Sequence, residues 1–388
     1  MYDVVISGAG PAGSKCAEVL AKKGFKVALI DRDISWRKPC GGAVHSRIFK
    51  YYPQLRNANF HQISGITMYS ADYHQFKYKW KDPKYYGITV DRLEFDNFLR
   101  NIAIDAGAEL FDKNLSIDFV TRHKRRIGIK TKCANETKEY LGKIIIVGDG
   151  MSSKLLNKLG LRKNIEELMF AKCAVMEGEN NLNEDFMSIF FKSYKGYGWL
   201  FPLGDNKFNI GCGSMGRDHL KYNLNSIYTD FIEDPEIQNY IPQSNYKKIW
   251  EAAYPLPALG VNEKNLYLDN IMIIGDAAGF VSPISGEGIS PSVVSGNAAA
   301  ETAIHAIEEE EISNQTLKKY RFHPEVKKII RSFKLNRYLA DFFFEHKGRN
   351  ISKMFELAQE DDDYKEEVVD TLLFNHTPSK DFLLKLKY

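Results

Sequence analysis

The sequence predicts an α/β fold with an α+β insert and a helical C-terminal segment, and three observations carry that prediction. The chain opens with an apolar run, a glycine-rich turn, a helix-period stretch and a second apolar run, all within residues 3–31. Two later apolar runs, residues 141–150 and 270–288, pass straight into Gly-Asp pairs. Around them lie two blocks that alternate with a period of two, residues 63–89 and 172–257.

The opening segment is the most specific. Residues 3–7 (DVVIS) read as a short buried strand, followed by Gly8-Ala9-Gly10-Pro11-Ala12-Gly13, a GxGxxG. A helix follows with Ala12, Cys16, Val19 and Leu20 on one face, stopped by Gly24. A second strand, residues 26–30, ends at Asp31, 18 residues past Gly13, with Arg32 beside it. This is a Rossmann-type unit. Gly8 permits the tight turn, Gly10 lets backbone approach a pyrophosphate, and Gly13 lets helix and strand pack closely. The helix start offers free N–H groups to phosphate oxygens. The Asp31 carboxylate suits ribose hydroxyls and repels a 2′-phosphate. A lone GxGxxG would be a chance glycine turn; strand, turn, helix, strand and acid in one unit is a dinucleotide site.

The second and third segments show which dinucleotide. Residues 141–150 form a buried strand that runs into Asp149 and Gly150, followed by Ser152 and Ser153. Residues 271–274 form another strand, ending in Gly275-Asp276-Ala277-Ala278-Gly279. A helix is expected from about Gly288 through Ala298 to Ile307. An acid at a strand end followed by small residues lets a polyol or phosphate lie on bare backbone. The helix beyond Gly286 and Gly288 aims its first N–H groups at an electron-rich atom.

Composition sets the outer bounds. A length of 388 residues allows two or three domains. Net charge is only +3, from 53 basic and 50 acidic residues, which argues against a nucleic-acid partner. The five cysteines show no CxxC spacing, so neither a metal site nor an iron–sulfur cluster is expected. With no long apolar run and no leader-like start, the expected location is cytoplasmic, with contact at a membrane surface left open.

The three glycine-acid segments, in this order, resemble FAD-dependent oxidoreductases of the para-hydroxybenzoate hydroxylase type. The resemblance implies FAD as cofactor, Asp276 at its ribityl or pyrophosphate part, and the backbone of Gly286, Gly288 and Ile289 near the flavin ring. Residues 90–99 (VDRLEFDNFL) match that group's RxxFDxxL helix, which implies Arg92 near the cofactor; a surface salt bridge from Arg92 to Asp96 is the competing reading.

Three further stretches narrow the resemblance: Lys38-Pro39-Cys40-Gly41-Gly42-Ala43, then Tyr197-Gly198-Trp199-Leu200-Phe201-Pro202 with residues 209–213 (NIGCG), and residues 285–289 (SGEGI). Together they are similar to the geranylgeranyl reductase family, over roughly residues 1–310. One departure is that Tyr194 stands where the family's PxxYxWxFP pattern has proline. The resemblance implies saturation of prenyl-chain double bonds, most simply those of ether-lipid precursors. It also implies an external electron donor, whether ferredoxin, deazaflavin or NAD(P)H.

Without the family, the same residues leave choices open. Cys40 could donate a proton, touch substrate or fill space. Tyr197, Trp199 and Phe201 fall on one strand face and, with Pro202, could wall a pocket for a long apolar ligand or simply be core. Glu287 could hold a proton near the flavin or cap the next helix. Reducing an isolated alkene needs a dry site, an aromatic wall facing the developing cation and a nearby acid. Cys40 and Tyr197 are the candidate acids, and Trp199 belongs to the candidate catalytic wall.

The expected organisation is a discontinuous FAD-binding domain (1–60, 91–165 and 265–310), an antiparallel-sheet substrate domain (61–90 and 166–264) and a helical region (311–388). In the last, Ile329, Ile330, Phe333, Leu339, Phe342 and Phe343 could form an apolar face beside Lys327, Lys328, Arg331 and Lys334. That face would pack on the core or lie against a membrane as a lid. Two other classes share the fold: a flavin monooxygenase or halogenase, and a non-catalytic FAD-binding protein.

Overall fold

Apolar β-branched runs buried on both faces make the first layer. In the computed structural model, which describes residues 1–161, 164, 167–214, 221, 223–242, 246–257, 259–374 and 376–386, these runs form a sheet. Its order is Tyr267–Leu268, Ile271–Ile273, Glu136–Val147, Tyr2–Ser7, Val27–Ile30 and Glu109–Phe111. The pairs are parallel except at the Tyr267–Leu268 edge. Arg125–Cys133 and Leu115–Arg122 extend the sheet as an antiparallel hairpin off Glu136–Val147.

Register decides where the site lies. Ser7 is opposite Ile30 on one side and Val147 on the other, and Val147 is opposite Ile273. Four strands therefore finish at one level, so Gly8, Asp31, Gly148 and Gly275 meet along the carboxyl edge. The helices Pro11–Lys22 and Ile289–Glu308 cover one face. They cross at Gly296, where a Cβ would stand 2.1 Å from the Ala12 carbonyl oxygen; only a bare backbone lets them approach so closely.

The period-two blocks form a second sheet, ordered Tyr246–Pro257, Leu168–Gly178, Lys207–Ser214, Gly196–Gly204, Phe186–Phe191, Gly65–Tyr69 and Gln75–Lys79. All neighbours are antiparallel except Phe186–Phe191 with Gly65–Tyr69, which run parallel. The first block also splits: His61–Ile63 and Gly87–Thr89 leave the large sheet and join Ala43–Val44 in a small three-stranded one. The expectation of one purely antiparallel sheet is corrected on both points.

The tail is helical from Asn314, as its composition predicts. It runs through Asn314–Phe322, Pro324–Glu360, Asp362–Leu373 and Lys380–Lys385. Ile330, Phe333, Leu339 and Phe343 are buried, and Phe355 stacks on Phe76 of the large sheet at 5.4 Å. The apolar face thus packs on core. The longest helix breaks at residues 345–348, where His346, Lys347 and Gly348 take successive left-handed conformations (φ 49°, 62° and 82°). The break folds the chain back, so that the second half lies across the large sheet. Among the described residues no helix is long and apolar enough to cross a membrane.

Candidate functional site

The glycine turn sits where register puts it. Gly8 has φ 96°, and a Cβ there would lie 2.4 Å from the Gly148 carbonyl oxygen, so the first and second glycine segments touch. Gly13 packs against Gly8, with 1.8 Å between a built Cβ and the Gly8 carbonyl oxygen. It shapes the turn from behind and does not line the groove. At Gly10 a Cβ would meet no protein atom and would project into open groove. The Asp31 carboxylate accepts from the Ala9 N–H (2.7 Å) and the Asp33 N–H (2.9 Å), so it braces the turn as well as facing the groove. Arg32 lies over the Trp36 ring at 4.3 Å. Arg100, which the sequence did not single out, donates to the Ala9 and Ile34 carbonyls and pins the turn from below.

The groove runs past Ala12, Asp149, Gly150, Gly275 and Asp276. Three features fit an elongated, anionic dinucleotide. The Pro11–Lys22 helix starts with no side-chain cap, leaving its first N–H groups unclaimed. Gly10 leaves the backbone bare toward the groove. Asp149 Oδ1 is buried without a hydrogen-bond partner, and burial, against the opposing effect of Ser153 and Ser7, pushes that carboxyl up to about 6, so one oxygen stays open to a further donor. Asp276 is paired with Lys38 at 2.6 Å, so the loop around Cys40 and the late strand end are tied by charge.

Pro11, Lys38, Arg92, Tyr254, Asp276 and Ser292 line both this groove and an adjoining apolar cavity, which makes one continuous space. Arg92 holds Asp96 through two bonds (2.9 and 3.0 Å), but the pair is buried and not at the surface as the competing reading had it, and Arg92 lines both spaces. Burial alone would lower its pKa; Asp96 and Cys40 raise it instead.

Cys40, Gly41, Gly42 and Ala43 line the cavity floor, and Gly286, Gly288 and Ile289 enter opposite. The Cys40 carbonyl accepts from Asn209 Nδ2 (2.9 Å), and Asn209 Oδ1 accepts from Trp199 Nε1 (2.8 Å). Asn209, visible in the NIGCG stretch but given no role there, therefore ties the aromatic strand to the Cys40 loop. Gly41 is bare because a Cβ would come within 2.9 Å of both Phe201 and Trp199 Nε1.

Tyr197, Trp199 and Phe201 share one face of Gly196–Gly204 and wall the cavity, as the alternation predicts. The same period corrects one assignment. Pro202 lies on the opposite face and does not line the cavity; its carbonyl accepts from the Thr89 hydroxyl. The Tyr197 hydroxyl donates to the Ser285 carbonyl, and burial pushes its phenol well above the usual range. Glu287 accepts from the Ser290 N–H (3.0 Å), so it caps the following helix; burial also raises its carboxyl. The far wall comes from residues no motif marks: Trp80, Ile189 and Phe191 from the sheet, and Leu372, Leu373 and Phe374 from the tail.

Comparison with known proteins agrees with this geometry. A family model described as the geranylgeranyl reductase catalytic domain matches residues 170–252, and the Thi4 family matches residues 1–59. Digeranylgeranylglycerophospholipid reductase 1 of Methanosphaera stadtmanae is 34% identical over 329 residues, 82% of this chain and 79% of that one. Reductase 2 of Methanopyrus kandleri is 27% identical over 93% of this chain and 91% of that one. Among solved structures, a geranylgeranyl bacteriochlorophyll reductase-like protein from Thermoplasma acidophilum superposes with a TM-score of 0.82 at 23% identity, covering 96% of each chain. A flavin-dependent brominase superposes with a TM-score of 0.78 at 20% identity, covering 96% of this chain and 93% of that one, a likeness of fold. A groove for a dinucleotide, an aromatic cavity opening from it and a relative this similar over most of the chain together place the protein: it belongs to the digeranylgeranylglycerophospholipid (geranylgeranyl) reductase family.

Proposed function

We propose that the protein is an FAD-dependent reductase that saturates C=C bonds in the geranylgeranyl chains of membrane ether-lipid precursors. The observation that carries this is the continuity of a polar dinucleotide groove with an apolar, aromatic-walled cavity across Arg92, Pro11 and Asp276. The relatives named as reductases of such lipids support it. FAD held in this groove would, when reduced by a donor outside the chain (ferredoxin, deazaflavin or NAD(P)H), supply the hydride for the alkene.

The chain's own residues do the positioning. Gly8, Gly10 and the uncapped helix start would hold the phosphates, and Asp31 would hold a ribose. Gly41, Gly286 and Gly288 line the cavity with backbone and would let the flavin ring approach. Trp199 and Phe201 exclude water and face the carbon on which positive charge builds. The proton comes from a group at the cavity. Cys40 is the better candidate, because the Tyr197 O–H is committed to Ser285 and its acidity is suppressed by burial. A protein of this kind works at a membrane surface, where its substrate resides.

The test is mass spectrometry of lipids from cells expressing this gene with a geranylgeranyl-lipid pathway. Gains in steps of two hydrogens are expected. A gain of one oxygen would overturn the reading in favour of a monooxygenase, and FAD binding without turnover would make the protein a non-catalytic flavin binder.

A further inference from the structure

The apolar cavity ends against a cationic pocket for which alkene reduction has no use. His45 and Ser46, at the start of the Ser46–Lys50 turn, line the cavity. Arg47, the next residue, lines a second pocket with Lys328 of the long tail helix and His376 beyond the Asp362–Leu373 helix. A shallow depression beside it, again lined by Lys328 and His376, adds Lys327 and Arg331. Glu287 and Phe374 line both the cavity and the cationic pocket, so one aromatic ring stands between them. The His45 ring meets Phe374 edge-on at 3.9 Å, and the Arg47 guanidinium lies 5.8 Å from the centre of the same ring.

The protein balances these charges only in part: Glu287 and Asp370 act on Arg47 from beyond ion-pair distance. Glu325 is taken by Lys50 and Tyr51, and Asp370 by His376 at 2.9 Å. Among the described residues Arg47, Lys327, Lys328 and Arg331 have no carboxylate within ion-pair distance. A second, independent observation lies on the cavity side. His45 Nδ1 accepts the Arg47 N–H at 2.8 Å, so in the neutral ring the proton sits on Nε2, and that atom is buried without a partner. Unpaired cations on two adjoining pockets that share Lys328, with an unused N–H donor on the cavity side, are what a phosphate ester attached to an apolar chain requires.

We infer that this pocket binds the phosphate-bearing polar end of the substrate lipid. Arg47, Lys328 and Arg331 hold the phosphate, His45 Nε2–H meets an oxygen at the head of the chains, and the prenyl chain passes Phe374 into the aromatic cavity. The inference rests on the proposed reduction of prenyl lipids and adds to it the place on this chain where the phosphate end is held.

The test uses the FAD-loaded enzyme in detergent micelles, reduced by dithionite, with digeranylgeranylglyceryl phosphate and uncharged digeranylgeranylglycerol as paired substrates. The wild type is expected to prefer the phosphate form. Arg47→Gln and Lys328→Gln are each expected to cut that preference about tenfold through KM, the effect of losing one charge-assisted contact. Both side chains are exposed, so folding is expected to survive, and thermal unfolding of the variants checks it. Inorganic phosphate is expected to compete with the phosphate substrate alone. Equal use of both substrates by the wild type would overturn the inference. So would binding of inorganic phosphate, lost in Arg47→Gln, with no preference between the substrates; that result would leave a free-anion site. If the variants lost binding to phosphatidylglycerol vesicles relative to phosphatidylcholine while the micellar KM stayed put, the patch would be a membrane-docking surface and the inference would fall. If the wild type reduced neither substrate, the reductase reading itself would be wrong, a failure distinct from the others.

Discussion

The nucleotide groove and the apolar cavity adjoin, yet they are built in opposite ways. The groove is made largely of backbone and fixed charges: Gly8, Gly10 and Gly148 carry no side chain into it, and Asp31 and Arg100 spend their polar atoms bracing the turn. The cavity is walled by large side chains from many separate stretches, and Asn209 ties its aromatic wall to the Cys40 loop. Where backbone makes the surface, a short motif spells out the site. Where side chains make it, the period of one strand shows part of the wall and the completed fold shows the rest.

The sharpest way to break this contrast is Gly10→Val. The new side chain meets no protein atom and fills the groove, so the variant should fold but bind FAD on the order of 100-fold more weakly, about 3 kcal/mol. Visible absorbance of the purified protein and an FAD titration read this out; wild-type affinity would mean the groove is not held by bare backbone. Trp199→Ala should cost about 3–5 kcal/mol in denaturant unfolding, because it leaves a void and releases Asn209 from the aromatic strand. A cost under about 1 kcal/mol would show the wall to be ordinary, adaptable packing.

Asp149 tests the polar side through pH. Its carboxyl is raised from 3.8 to about 6 in the folded, flavin-free protein. Stability from this group is therefore full below about pH 4 and lost as pH rises through 6. The loss is of order 1–3 kcal/mol by pH 8, and Asp149→Asn should flatten it; parallel pH profiles of the two proteins would refute the assignment. The smallest effect is expected at Tyr197→Phe. With its hydroxyl committed to Ser285, removal should slow turnover less than about tenfold, whereas an essential proton donor would cost about 100-fold or more.

The same contrast explains how much could be read from the sequence. The turn from Gly8 to Gly13, the acid at Asp31 and the later Gly-Asp pairs were legible because each is a local conformation with a local chemical demand. The wall of Tyr197, Trp199 and Phe201 was legible from its period, and that period, followed one residue further, also turns Pro202 away. Lys38 with Asp276, Asn209 with Cys40, and Arg100 beneath Ala9 are pairings across 238, 169 and 91 residues, which no motif encodes. The parallel pairing of Phe186–Phe191 with Gly65–Tyr69 is likewise set by sheet register and not by either strand alone. The tail carries no motif because its contribution to the cavity, Leu372 to Phe374, is simply hydrophobic.

The reversal at residues 345–348 has a consequence for biosynthesis. The Cys40 loop begins a greasy chamber whose far wall, Leu372 to Phe374, is translated much later, after the chain has turned back on itself. Until that wall emerges, the nascent protein displays an open aromatic hollow to the cell, and a product truncated before it should be sticky and short-lived, a ready client for chaperones.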